Sequence, residues 1–282
     1  MSAIESFDAL KAHLTRRNEP RRRVAVVWPE DETTRRAVEM AAEAGFASPV
    51  MLDHTVAADA DVAAAEAVAM VRRGEADVIM KGLINTDNLL RAVLNKEHGI
   101  LRPGRVLTHI TVAEIPAYHK LLLLSDVAVI PYPTEAQFEA MVAYMTTYAR
   151  AMGIECPRIA LTHCSEKVDE RHFPLTGSYV AVKDKAAAGV FGNCIVDGPM
   201  DVKTACDRHA QEKKGIVSPI NGDADGIIFP DIEAGNTFYK AVTLFSGATL
   251  AGLLQGADVP VVLCSRGDDA DCKYNALALA CL

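Results

Sequence analysis

The chain has 282 residues, 50% hydrophobic and 23% charged, with 29 Lys and Arg against 37 Asp and Glu. That is an ordinary globular composition with enough apolar residues for a sizeable core, in one large α/β domain or two smaller lobes. The formal charge of −8 argues against a general nucleic-acid or anionic-membrane surface, yet a few cations in one cleft can still hold a small anion.

The first segment, Met1–Thr15, mixes Glu5, Asp8, Lys11 and His13 with apolar residues and lacks an apolar h-region, so a helix is expected there and not a signal peptide. The basic run Arg16, Arg17, Arg21, Arg22 and Arg23 reads as a solvated approach to the first strand. Strands are then predicted over 24–28, 49–52, 77–80, 106–112 and within 121–130, alternating with helices over 33–44, 61–73 and 85–94. Pro131 and Pro133 break the chain before a long helix over 134–152 that Gly153 ends. A second alternating set follows: strands over 158–161, 193–196, 226–229 and 260–264, and helices over 178–188, 201–214, 234–245 and 269–282. Apolar strands separated by helices imply an α/β protein with mostly parallel sheets covered on both faces. Two such sets predict two lobes with a cleft between them.

The longest apolar run, Leu121–Ile130, is far short of the roughly 20 residues that span a bilayer. Seven cysteines, an odd number without a CxxC pair, signal neither a disulfide framework nor a zinc site; reduced thiols in a cytoplasmic protein are expected.

Ligands of open α/β sheets collect beyond the carboxyl ends of strands. The residues there are Lys81-Gly82, Thr108-His109, Thr162-His163, Asp197-Gly198, the run from Pro230 to Asn236, and Ser265-Arg266-Gly267. Ser265-Arg266-Gly267 follows an apolar strand and precedes a helix opening with Asp268 and Asp269. A hydroxyl, a guanidinium fork and free N–H groups at a helix N-terminus suit phosphate; a capped turn whose Arg pairs with Asp268 or Asp269 fits the same spacing. Lys81 stands at another strand end, with Thr86 as a candidate cap for the helix that follows. His109 can equally be a hydrogen-bonded core residue. Asp231 and Glu233 read as a metal-binding pair or, more simply, as the start of a capped helix. Cys264 lacks an evident base partner, which weakens it as a nucleophile.

Seven ordered motifs carry a family resemblance: Lys81-Gly82-Leu83-Ile84-Asn85-Thr86, Tyr118-His119-Lys120-Leu121-Leu122, Glu166-Lys167-Val168, Val196-Asp197-Gly198-Pro199, Gly222-Asp223-Ala224-Asp225, Phe229-Pro230-Asp231-Ile232-Glu233-Ala234-Gly235-Asn236 and Ser265-Arg266-Gly267. Together they resemble the phosphate acetyl/butyryltransferases from about Val24 to the C-terminus. Gly235-Asn236-Thr237-Phe238-Tyr239-Lys240 and the ending Lys273-Tyr274-Asn275-Ala276-Leu277-Ala278-Leu279-Ala280 are similar to the butyryl branch. The resemblance implies a two-lobed fold like that of the isocitrate and isopropylmalate dehydrogenases, usually dimeric, in which the chain end returns to the first lobe. The lobes expected are 1–134 with 251–282, and 135–250. It implies transfer of a short acyl group, butyryl favoured, between coenzyme A and phosphate, with no tightly bound cofactor, no metal, and acyl-CoA and phosphate as small-molecule partners.

In that reading Ser265 and Arg266 bind the phosphoryl group and Gly267 lets it approach. Lys81, Thr86, Thr108, His109, Asp231 and Asn236 line the substrate path. The acetyl branch carries an aspartate seven residues after the serine; here Cys272 stands there with Asp271 beside it, leaving Asp271 or His109 as the candidate base. Leu244 replaces an arginine of the acetyl branch. Two other readings remain at this level: a metal- and NAD-dependent decarboxylating dehydrogenase, and a non-catalytic phosphate or acyl-CoA sensor.

Overall fold

The structure, a computed structural model, describes residues 2–17, 19–264 and 267–282. The chain divides into two compact units: an N-terminal unit of Phe7–Leu107 with Leu250–Leu282, and a central unit of Met1–Ser6 with Thr108–Thr249. The boundary expected near residue 134 moves to Thr108 because β4 (Thr108–Glu114) and β5 (Leu122–Ser125) belong to the central sheet: β4 pairs with β5, and β5 in turn pairs with β8 (Gly226–Ile228).

In the N-terminal unit the strand order is β2 (Ala47–Leu52), β1 (Arg22–Val27), β3 (Val78–Lys81), β10 (Val261–Val262) and β9 (Thr249–Gln255). The first four run parallel, with Val24 beside Val78 and Val261 beside Ile79, and β9 runs antiparallel to β10. Val24–Val27, Val78–Met80 and Val261–Val262 are fully buried, as strands covered on both faces must be. Helices α2 (Glu32–Glu43) and α3 (Ala60–Arg72) start on the carboxylates of Asp31 and Asp59, which accept backbone N–H groups of the first turn. The last helix, α10 (Ala270–Ala280), is buried from Lys273 to Ala280 because α2, α1 (Phe7–Arg16) and β10 pack around it. There Lys273 Nζ donates to Asp31 Oδ1 at 2.8 Å, Thr33 Oγ1 at 2.7 Å and Thr34 Oγ1 at 3.0 Å. All three ammonium protons are thereby placed. Burial opposes the charge on Asp31, but the bonds from Lys273 and the Thr34 N–H outweigh it and hold the carboxyl down to about 2.

The central unit orders its strands β4, β5, β8, β6 (Arg158–Thr162) and β7 (Ile195–Met200), parallel except between β4 and β5. Helices α5 (Glu135–Ala151), α6 (Leu175–Ala187), α7 (Val202–Cys206), α8 (Arg208–Lys213) and α9 (Ile232–Ser246) complete it.

The structure corrects several expected elements. The strand reading over Leu121–Ile130 stops at Ser125, because Asp126 Oδ1 accepts the Ala128 and Val129 N–H groups at 2.7 and 2.8 Å and turns the chain. The single helix over 201–214 is two. Asp207 is extended (φ −132°, ψ 106°), and its carboxylate caps α8. Strand β9 was not foreseen; its burial does not alternate, so it carries no period-2 signal, and it follows α9 after only Gly247 in the left-handed region (φ 64°) and Ala248.

Candidate active site

In the N-terminal unit, β1, β3 and β10 end side by side. Lys81 closes β3 with a side chain only 4% exposed, its Nζ 3.4 Å from the Gly82 carbonyl. Gly82 is required at the next position. Its N–H donates to Val27 O at 2.8 Å, and a Cβ there would lie 2.5 Å from the Trp28 carbonyl oxygen. The approach fixes where the β3 end points. Thr86 is not the cap of α4 (Thr86–Val93); Asn85 holds that position and Thr86 is the exposed first helical residue.

Ser265 and Arg266 lie outside the described residues. Their neighbours are informative. Gly267 has nothing within 4 Å of where a Cβ would stand. Asp269 caps α10 by accepting from Cys272 N at 2.8 Å, and Asp271 is exposed in the first turn. Asp269 thus has a structural role that needs no partner arginine. Burial, reinforced by Asp268, pushes the Cys264 thiol up to about 12; burial and Asp269 do the same to Cys272. Neither is a thiolate near neutral pH, so neither is an activated nucleophile or a base.

The central unit holds the other sequence candidates, and its polar groups are largely engaged with one another. Asp126 is 2% exposed and accepts four bonds: the Thr108 hydroxyl at 2.7 Å and the His109 N–H at 2.9 Å on Oδ2, and the two turn N–H groups on Oδ1. Thr108 therefore supports the backbone at the start of β4. His109 is buried, with Nδ1 3.1 Å from the Thr111 hydroxyl; desolvation pulls its pKa below the usual histidine value against the pull of Asp126, keeping the ring neutral. Asn236 Nδ2 donates to Val127 O at 3.1 Å, tying α9 to the same turn. Asp231 caps α9 through the Ala234 N–H at 2.7 Å, and Glu233 accepts the Tyr132 hydroxyl at 2.7 Å. The metal-pair reading of Asp231 and Glu233 gives way to the capped helix.

Three further motifs are also structural. Lys120 bridges Asp223 at 2.9 Å and Asp225 at 2.6 Å, and Arg158 reaches Asp223 at 2.6 Å, joining strands β6 and β8 at their amino ends. Lys183 and Ser218 hold Asp197 at 2.5 and 2.6 Å, and Lys214 bridges Glu166 and Asp201, each at 2.5 Å.

Thr162, His163, Pro230, Asp231, Glu233 and Ala234, placed beyond strand ends by the sequence, border one feature whose apolar walls the sequence did not show. Beyond the carboxyl ends of β6 and β8 lies an open cavity of about 940 Å³, within the size range of small-ligand sites. Phe173, Leu175, Val202, Phe229, Phe238 and Ala241 give it an apolar lining. Phe229 and Phe238 meet with ring centroids 5.4 Å apart, and His163 packs edge-on against Phe173 at 4.6 Å. The available signal was Phe238 and Ala241, three residues apart on α9, a spacing that also describes an ordinary core face.

Residues 53–281 match the family described as "Phosphate acetyl/butaryl transferase". A phosphate butyryltransferase of Clostridium beijerinckii is 33% identical over 99% of this chain and 97% of its own. A phosphate acetyltransferase of Thermotoga maritima is 35% identical over 89% of this chain and 83% of its own. Among solved structures, a branched-chain phosphotransacylase of Enterococcus faecalis superposes with a TM-score of 0.77 at 29% identity, covering 92% of this chain and 97% of that one.

Proposed function

This chain belongs to the phosphate acetyl/butyryltransferase family, and on that premise we propose that it moves a short acyl group, butyryl by preference, between coenzyme A and inorganic phosphate. The observation that carries the reading is the near-full-length likeness to a phosphate butyryltransferase. Coenzyme A is a substrate, and the reaction needs no resident cofactor.

A phosphate oxygen attacks the thioester carbonyl carbon, a tetrahedral oxyanion forms, the C–S bond breaks, and the departing sulfur takes the proton that phosphate gives up. Thioester and acyl phosphate are both activated, so positioning and charge stabilisation supply most of what is required. We assign Arg266 to the phosphoryl group by its bidentate fork, with Ser265 and the Gly267 N–H donating to the developing oxyanion. Lys81, at the end of β3, adds positive charge. Asp271, exposed on the first turn of α10, is the proposed acceptor for the thiol proton in the reverse direction. A thiol of ordinary pKa, about 8.5, needs only a weak base. The protonated state of Cys264 and Cys272 supports transfer without an acyl-enzyme. His109 and Thr108 act through the turn at Asp126, positioning α9 by way of Asn236.

All seven cysteines are free, in keeping with a cytoplasmic enzyme. No helix among the described residues is long and apolar enough to cross a membrane. Exposed Leu244 and Phe245 on α9 offer apolar surface to a second copy, in keeping with a homodimer. Incubation of the protein with butyryl-CoA and phosphate, read as free thiol, tests the activity. Phosphate-dependent thiol release is expected, and a rate no faster than in buffer alone overturns the reading.

A further inference from the structure

The cavity beside α9 has a definite chemical character. Its walls are aromatic and aliphatic, and its charged lining groups are Asp231, Glu233 and Asp201, the last paired with Lys214, against Lys203. A phosphate or pyrophosphate group would meet unfavourable charge there. A neutral apolar chain would not. The cavity is also built on fixed groups: Asp231 is held by the α9 cap, Asp201 by Lys214 and Glu233 by Tyr132. Cavities with apolar walls and a few oriented polar groups, at the carboxyl edge of a parallel sheet, are where α/β proteins take small molecules.

We propose that this cavity receives the acyl chain of the acyl-CoA, and that Phe238 and Ala241 set the chain length the enzyme accepts. The proposal rests on the acyl-transfer reading above. Phe238 and Ala241 project from one face of α9, three residues apart, so one bounds the cavity with a ring where the other leaves room. Burying each further methylene is worth about 0.8 kcal/mol, close to fourfold in binding, and this sets the scale of discrimination.

The test measures dissociation constants of acetyl-, butyryl- and hexanoyl-CoA by calorimetry, and phosphate-dependent turnover of each, for the wild type, Phe238→Ala and Ala241→Phe. Phe238→Ala should shift the hexanoyl-to-butyryl ratio toward the longer chain by about tenfold or more. Ala241→Phe should disfavour butyryl relative to acetyl by a similar factor, about two methylenes' worth. If one variant fails to fold, the other still decides. Ratios unchanged in folded variants overturn the proposal. So does a changed sedimentation coefficient with unchanged ratios, which would give the cavity to a second copy of the chain. Absence of turnover in the wild type would instead contradict the acyl-transfer reading, and the binding ratios would still report on the cavity.

Discussion

The carboxyl edges of the two units are made from similar parallel strands and offer a ligand different things. In the N-terminal unit a buried lysine stands at the end of β3, the backbone turns tightly at Gly82, and Gly267 leaves open space at the approach to α10. In the central unit Asp126 takes up the Thr108 hydroxyl and the His109 N–H, the His109 ring pairs with the Thr111 hydroxyl, and the open space beyond β6 and β8 is apolar. The first edge suits an anion and the second a hydrocarbon chain. Polar residue types alone do not mark a site: Thr108 stands at a strand end, yet its hydroxyl is taken up by Asp126 inside the fold.

That comparison breaks if mutations in the two places have the same kind of effect. Removing the hub, Asp126→Ala, orphans three backbone N–H groups, those of His109, Ala128 and Val129, and leaves the Thr108 hydroxyl with only its 3.2 Å contact to Ser125 Oγ. At about 1–3 kcal/mol per buried unsatisfied group, partly relieved by water, the expected loss is at least about 3 kcal/mol. Urea unfolding should show this as a lower midpoint, and a midpoint within error of the wild type would contradict the hub assignment. Arg266→Ala should act in the opposite way. It should cost on the order of 100-fold in turnover over phosphate affinity, about 2.7 kcal/mol, with an unchanged melting temperature and nearly unchanged butyryl-CoA affinity. Arg266→Lys should recover part of the activity. A fall in melting temperature with normal kinetics in the folded fraction would instead make Arg266 a structural partner of Asp268.

A smaller effect should separate the Lys273–Asp31 lock from both edges. Asp31 is held at about 2 in the folded protein, below the ordinary aspartate value of about 3.9. Its pKa is depressed, so its contribution is present above about pH 4 and is lost as pH falls through about 2. The carboxylate is partly exposed, and after discounting for screening the contribution is on the order of 1 kcal/mol. The stability difference between pH 6 and pH 2.5 should therefore shrink by about that much in Lys273→Met. An identical pH dependence in the two proteins would show that Lys273 does not set the Asp31 titration.

Most of the framework was legible because apolar strand runs and capped helices repeat along the chain. Asp31, Asp59 and Asp231 each sit one residue before a helix and serve as caps. The departures have local causes. Asp126 ends a strand by side-chain capture of two N–H groups, and Asp207 divides one amphipathic stretch into two helices. At the candidate site, sequence placed Lys81 and Thr108 at strand ends but could not show that Asp126, 18 residues after Thr108, engages its hydroxyl. The cavity's apolar walls were invisible for a related reason. Phe173, Phe229 and Phe238 come from a loop, a strand end and a helix, and only folding brings them to one space.

The central claim is direct transfer between thioester and phosphate, with no acyl group carried by the protein. Initial rates over a grid of butyryl-CoA and phosphate concentrations test it most directly. Intersecting double-reciprocal lines, with no butyryl mass increment on the intact protein after incubation with butyryl-CoA alone, are the predicted result. Parallel lines together with a butyryl adduct on Cys264 would contradict it, and would mean that a thiol pushed up to about 12 nevertheless ionises during turnover.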